Sequence, residues 1–271
     1  MKRFKIFAAL HPFWFVMVLG FISALLIAIA YLWGVLSPCS ELNQYIGQSV
    51  IQLVSTLFFI FILWRFGWLR ASGFTSIGRG QTWIIIILPF IYVLAKDIYL
   101  MTGDFSFELS NPTLLFWLGL SSLTTGLFEE TLFRGVVLFS FLLLWDHSRS
   151  GVTKSISVTA LLFGGIHILR LVENPAPQTL LTMLTAVLAG FFYGVILLHG
   201  GSIWIPIVFH CLHNAVVNLN IVGKDAVETP LGSFFVLLTT IPVFLLGIYL
   251  LRKIRQRLGN FQPNDTNRIL C

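Results

Sequence analysis

A cluster of charged side chains lies within a stretch that is otherwise typical of a membrane-spanning segment. The sequence GLFEETLFRG contains Glu129, Glu130 and Arg134 between apolar neighbours. On insertion scales, one charge at the centre of a bilayer costs about 2.5–3.5 kcal/mol. Two adjacent carboxylates at this depth therefore indicate either an ion pair that holds helices together or groups that bind and exchange protons during a reaction.

Helical geometry gives the two glutamates different surroundings. Successive residues of an α-helix are about 100° apart around its axis. Glu130 and Arg134 are four residues apart, so they share a face, and the acid stands on the favourable N-terminal side. An ion pair explains these two residues, and both a structural and a functional role remain open for them. Glu129 has no partner on its own helix, which favours a functional carboxylate that faces the interior of a bundle.

Two further apolar segments contain polar groups that can take part in chemistry. In FGGIH, Phe163 and His167 are four residues apart, and the glycines between them allow another backbone or a substrate to approach. In HCLHN, His210 and Asn214 share a helical face in the same way. A single intramembrane histidine or asparagine also serves as a hydrogen-bonding residue between helices. Three helices that each carry such groups nevertheless predict one shared cavity.

The composition places these elements in a membrane. Of 271 residues, 57% are hydrophobic and only 10% are charged, whereas soluble domains carry about 25% charged residues. Apolar runs that could cross a hydrocarbon core of about 30 Å occur at 13–36, 44–64, 82–101, 113–145, 155–171, 178–198, 202–221 and 231–251. The sequence thus predicts an all-α fold, a polytopic membrane helix bundle of about eight transmembrane helices, in a single membrane domain over residues 1–271.

The fourth apolar run is too long for a simple span. Its 33 residues, 113–145, would form about 50 Å of straight helix. We therefore expect it to tilt, break or project from the membrane, with Gly126 and Gly135 as candidate kink sites.

The distribution of lysine and arginine predicts the orientation. Thirteen of the 17 basic residues fall on the side of the N-terminus, and only Arg170 and Lys224 fall in loops on the other side. The positive-inside rule then predicts a multi-pass protein of the cell membrane with both termini in the cytoplasm. The same rule explains the net charge of +6, so no nucleic-acid partner is expected. Three cysteines without paired spacing argue against a disulfide framework or a thiolate zinc site.

EETLFR, FGGIH and HCLHN resemble, in order and spacing, the three motifs of the CPBP intramembrane proteases. That family includes the type II CAAX prenyl endopeptidases and bacterial proteins of bacteriocin processing and immunity. The resemblance covers a protease-like core at about 113–221. It implies an intramembrane endopeptidase in the lipid bilayer, acting on a membrane-associated peptide or protein substrate whose prenylation stays open. The implied catalytic residues are Glu129, His167, His210 and Asn214, with Glu130, Arg134 and Phe163 as supporting residues.

Two chemistries fit these residues. In the first, zinc is bound by His167, His210 and a carboxylate, with water at the fourth position, as the family's usual metalloprotease label suggests. In the second, Glu129 is a general base that activates water with help from His167, while His210 and Asn214 donate hydrogen bonds to the oxyanion. We favour the second, because HExxH is absent and asparagine is a poor zinc ligand, and keep zinc as the alternative cofactor.

Two other classes of function use similar residues. Buried glutamate and histidine also form proton relays in proton-coupled transporters, but the sequence lacks the internal repeats typical of such carriers. A non-catalytic immunity or binding protein on the same scaffold would not need all four implied catalytic residues.

Overall fold

The computed structural model describes residues 11–36, 40–101, 112–145, 148–172, 174–222 and 230–259, and within these ranges the chain contains no β-strand. Its elements are α1 (Pro12–Leu36), α2 (Ser40–Phe66), α3 (Gly80–Met101), α4 (Pro112–Glu130), a π-helix (Thr131–Leu138), α5 (Phe139–Trp145), α6 (Arg149–Gly165), a 3-10 helix (Ile166–Val172), α7 (Ala176–Gly200), α8 (Trp204–Val222) and α9 (Pro230–Gly259). The predicted all-α helix bundle is confirmed.

The membrane assignment rests on length and apolar composition. Among the described residues, four helical segments are long and apolar enough to cross a bilayer, namely Leu42–Phe66, Arg149–Val172, Ala176–Gly200 and Val236–Leu258. Large apolar side chains also cover the outside of the bundle, for example Phe21, Leu57 and Leu161, as expected where the solvent is lipid. The protein is therefore a membrane protein, while the count of eight spans stays a prediction.

The long fourth run is continuous but changes its helical type. After α4, the chain forms a π-helix over Thr131–Leu138 and then returns to α-helix in α5. All eight residues of the π-helix are buried. In a π-helix the backbone hydrogen bonds join residues five apart along the chain, so the side chains point in other directions than in a regular α-helix. The expected irregularity is thus present directly after the two glutamates, and Gly135 lies within it.

Gly126, the other candidate kink site, has a packing role. A Cβ atom added there would lie 2.7 Å from the Cys211 Sγ and 2.9 Å from the Cys211 backbone nitrogen. Only a residue without a side chain allows α4 and α8 to approach this closely. The close crossing brings the end of α4 next to the middle of α8.

Two apolar clusters enclose this crossing. One contains residues from α3 and from α5 to α9, among them the fully buried Phe192, Ile196 and Leu250. The other contains residues from α1, α2, the π-helix and α5, together with single residues of α4, α6 and α7 and two apolar neighbours on α6. Glu130 and Arg134 lie within this apolar interior with no exposed surface.

Candidate active site

The Glu130–Arg134 ion pair expected from the four-residue spacing is present. Arg134 Nη1 lies 3.1 Å from Glu130 Oε1, and both side chains are fully buried. Arg134 Nη2 also donates a hydrogen bond of 3.0 Å to the carbonyl of Gly190 on α7. Its guanidinium carbon lies 4.5 Å from the ring centre of Phe163 and 5.2 Å from that of Tyr193. Arg134 thus links the π-helix to α6 and α7.

Gly190 makes this link possible. A Cβ atom there would lie 2.9 Å from a ring carbon of Phe163 and 3.3 Å from Arg134 Nη2. The absence of a side chain lets the α7 backbone reach the guanidinium, where its carbonyl satisfies one buried donor.

His210 stands between the two glutamates. Its Nδ1 atom lies 2.8 Å from Glu130 Oε1, the oxygen that also contacts Arg134. Its Nε2 atom lies 3.6 Å from Glu129 Oε2, and the Glu129 side chain keeps 18% of its surface exposed. Because an ionised carboxylate only accepts hydrogen bonds, the Nδ1 atom of His210 carries a proton in this arrangement.

The bond from His210 to Glu130 is the contact that sequence reasoning missed. Helical spacing paired Glu130 with Arg134 alone, whereas the structure places it against a residue 80 positions further along the chain. A sequence signal did exist, since Glu130 and His210 both interrupt apolar helices, but no rule of local spacing connects them.

His167 lies in the 3-10 helix that follows α6. Its Nδ1 atom lies 2.9 Å from the carbonyl oxygen of Phe163, so this nitrogen is the protonated donor and Nε2 is left for other partners. Glu129 and His210 are close enough to His167 to interact with it electrostatically. The Phe163 ring packs edge-on against both imidazoles, at 5.3 Å from the His167 ring and 5.9 Å from the His210 ring.

Asn214 is half-buried on α8, one turn beyond His210 on the same face. In the part of the chain that the structure describes, its amide has no hydrogen-bond partner. On the next turn, Asn218 donates a bond of 2.8 Å to Ser122 on α4. The structure thus joins the other six predicted site residues by contacts or electrostatic proximity, and relates Asn214 to them by its position on the helix.

The donor atoms of the site are too few for a zinc ion. Within the described ranges, no three His, Cys, Asp or Glu side chains come close enough together to hold a metal ion. His210 and Glu129 form a pair of candidate donors, while a structural or catalytic zinc site needs at least three protein ligands. The residues in this arrangement do not fit a zinc site.

Comparison with known families bears on the same part of the chain. Residues 111–216 match the family model described as type II CAAX prenyl endopeptidase Rce1-like. No curated protein and no solved structure matches the chain. The matched segment contains all seven predicted site residues, and the match gives no support to a metalloprotease mechanism or to bacteriocin immunity.

Proposed function

Because residues 111–216 belong to the type II CAAX prenyl endopeptidase Rce1-like family, we propose that this protein is an intramembrane endopeptidase. Its reaction is the hydrolysis of a peptide bond in a membrane-associated substrate, prenylated or not, by a water molecule that a glutamate activates. The observation that carries the proposal is the pairing of one fully buried, ion-paired glutamate with a second, partly exposed glutamate across the same histidine ring.

Glu129 is the general base in this mechanism. Its carboxylate is partly exposed and lies 3.6 Å from His210 Nε2, beyond the 2.6–3.2 Å of a formed hydrogen bond. Glu130 differs, since it is held by both Arg134 and His210. Of the two glutamates, only Glu129 can receive a proton from water without breaking a buried ion pair.

His167 orients the attacking water. The carbonyl of Phe163 takes the Nδ1 proton, so Nε2 of the neutral ring presents a lone pair that accepts a hydrogen bond from water. Water bonded to both His167 and Glu129 then directs its oxygen toward the substrate carbonyl carbon.

His210 and Asn214 stabilise the oxyanion. The Asn214 amide donates without any change of protonation. His210 donates from Nε2 only when its ring carries both protons, and in that state Glu130, 2.8 Å from Nδ1, is its counter-charge. Glu130 and Arg134 are therefore positioning residues that hold the ring in place.

The reaction follows from these roles. The water oxygen bonds to the carbonyl carbon while one of its protons passes to Glu129. The carbonyl oxygen becomes an oxyanion bonded to His210 and Asn214. When the carbon–nitrogen bond breaks, Glu129 returns the proton to the leaving amine, so the immediate products are a carboxylic acid and a free amine. The acid then becomes a carboxylate by losing the second proton of the attacking water to the solvent or to the released amine.

Replacement of the base tests this proposal. Glu129→Gln preserves the shape of the side chain but cannot take a proton, so peptide hydrolysis should be abolished in a protein that stays folded and membrane-inserted. Purified protein in detergent is assayed with fluorogenic peptides, and Glu41→Gln, the same chemical change at the start of α2, is the matched control. Full activity of Glu129→Gln would refute the general-base role.

A chelator arm of the same assay tests the alternative cofactor. Hydrolysis should continue in the presence of a strong chelator. Activity that the chelator removes and zinc restores would instead make His167 and His210 metal ligands and would overturn the metal-free mechanism.

A further inference from the structure

The face of α4 that carries Glu129 also carries a row of hydroxyl groups. Ser122, Thr125 and Glu129 are spaced by three and four residues, so they share one face of the helix. The Ser122 hydroxyl accepts a hydrogen bond of 2.8 Å from Asn218 on α8, and the Thr125 hydroxyl donates one of 3.0 Å to Gln52 on α2. The row therefore lies where α2 and α8 meet α4 from its two sides.

Amide side chains of α2 form one wall beside this row. Gln48 and Gln52 are four residues apart and share a face of α2. The Oε1 atom of Gln52 accepts hydrogen bonds of 3.0 Å from both Thr124 and Thr125, and Gln48 Nε2 donates one of 3.4 Å to the Thr125 hydroxyl. Gln52 is buried, whereas Gln48 and Thr125 are half-buried. The outer amide is thus the one that a ligand can reach.

Amide side chains of α8 form the opposite wall. Asn214 and Asn218 are four residues apart on α8, and both are half-buried. We call the following five residues the polar groove: Gln48, Gln52, Ser122, Thr125 and Asn218. The polar groove begins beside Glu129 and runs toward the starts of α2 and α4 and the end of α8.

The polar groove contains hydrogen-bonding atoms that the chain itself does not use. Within the described ranges, Gln48 Oε1, Gln52 Nε2 and Asn218 Oδ1 have no hydrogen-bond partner. Hydrocarbon offers such atoms no partner either. They include donors and acceptors, and none of them is charged. The polar groove therefore favours a neutral ligand that has both kinds of group.

The substrate of the proposed hydrolysis has such groups in its main chain. In an α-helix each carbonyl oxygen is bonded to the N–H group four residues further on, so the segment to be cleaved has to unwind. Its freed N–H and C=O groups then need new partners within a bilayer. Ser122 and Glu129 are separated by about 10 Å along α4, which is the length of about three residues of extended chain.

We propose that the polar groove binds the main chain of the substrate in an extended conformation, over about three residues next to the scissile bond. Gln48 Oε1 and Asn218 Oδ1 accept hydrogen bonds from peptide N–H groups on the two edges of the bound segment. Gln52 holds Thr125, which in turn holds the amide of Gln48. Because the bonds go to main-chain groups, the polar groove selects an unwound segment and not a particular side chain. This assignment rests on the proposed function, since the polar groove ends at the general base of that reaction.

The test measures peptide binding in a Glu129→Gln background, where bound peptide is not consumed. The probes are fluorescein-labelled peptides that end in a CAAX sequence, with and without a farnesyl group on the cysteine. Fluorescence anisotropy reports their binding to detergent-solubilised protein. In a set of ester analogues, an oxygen replaces the main-chain N–H of each of the three residues after the cysteine in turn, which removes one donor at a time.

Two substitutions separate the polar groove from other glutamines. Gln48→Met removes the amide with little change of size, and Gln81→Met makes the same change at an exposed position at the start of α3. Gln48→Met should weaken peptide binding about fivefold, since one net hydrogen bond contributes roughly a factor of 2–12. Gln81→Met should leave binding unchanged. At one of the ester positions, the loss of affinity seen with Gln48 present should disappear in Gln48→Met.

Hydrolysis and a second position provide independent readouts. With Glu129 intact, Gln48→Met should raise KM and leave kcat unchanged, because the lost bond holds substrate and transition state equally. Thr125→Val should also weaken binding, whereas Thr125→Ser should not, because only serine keeps the hydroxyl that holds Gln48. The Thr125 pair provides the test if Gln48→Met does not fold.

Three results would overturn the proposal. Unchanged peptide binding in Gln48→Met and Thr125→Val, with a lowered Tm, would show that these bonds only hold helices together. Ester effects of equal size with and without Gln48 would show that its amide binds water in place of the main chain. Failure of both peptides to bind the Glu129→Gln parent would contradict the polar groove as well. Binding without any hydrolysis by the wild type would instead contradict the proposed function and leave the polar groove in place.

Discussion

Replacement of Glu130 by glutamine tests the buried ion pair at the centre of the site. One carboxylate oxygen of Glu130 lies 3.1 Å from Arg134 Nη1 and 2.8 Å from His210 Nδ1. Glutamine keeps the size of the side chain and one oxygen acceptor, but it removes the negative charge. Arg134 then stays fully buried without its counter-charge, and His210 loses its charged partner.

The cost follows from the burial of the partners. Removal of one member of a buried ion pair typically costs about 3–5 kcal/mol. Because the glutamine oxygen can still accept the hydrogen bond from His210 Nδ1, we expect the lower end, about 3 kcal/mol. At roughly 2–4 °C per kcal/mol for a chain of this size, Tm should fall by about 6–12 °C. Activity should also fall, since the ring of His210 is no longer held by charge.

The assay separates these two effects with a matched substitution. Thermal unfolding in detergent is followed by tryptophan fluorescence, and hydrolysis is measured at a temperature where each variant is fully folded. Glu129→Gln makes the same chemical change at a partly exposed carboxylate that lies outside hydrogen-bond distance of His210, so its Tm should stay near that of the wild type. A Glu130→Gln variant that unfolds at the wild-type temperature would show that the pair is not a stabilising element, and the reasoning from burial would be wrong.

Three further outcomes are expected. Asn214→Ala should lower the hydrolysis rate by about 10²–10³ without a loss of stability, because one oxyanion donor is removed; an unchanged rate measured with the fluorogenic peptide would remove Asn214 from the site. Gly126→Ala should destabilise the protein by about 1–3 kcal/mol, since its Cβ would lie 2.9 Å from a backbone atom of α8. Gly119→Ala is the control, because a Cβ there would have no atom within 4 Å. In the same unfolding assay, this variant should be as stable as the wild type or more stable. Residues 104–110 and 224–229 lie outside the described residues. Cysteines introduced there should be labelled only from outside the cell. Labelling only from the cytoplasm would reverse the predicted topology.

Local patterns in the sequence determined the class of fold and part of the site. Apolar runs separated by turn residues predict membrane helices, because a bilayer leaves the backbone no other partner than itself. The four-residue spacing of Glu130 and Arg134 predicts their ion pair, because residues at i and i+4 meet on any helix. The same spacing places Asn214 on the face of His210. These features depend only on the regular repeat of a helix.

The tertiary structure decided which helices meet and how their polar groups combine. The contact between Glu130 and His210 joins positions 80 residues apart, and it depends on the close crossing of α4 and α8 that Gly126 allows. The π-helix at Thr131–Leu138 follows the glutamates directly. The spacing of apolar residues in the sequence does not predict its wider turn. Long-range packing fixes such features, because each buried charge takes the partner that the surrounding helices bring within reach.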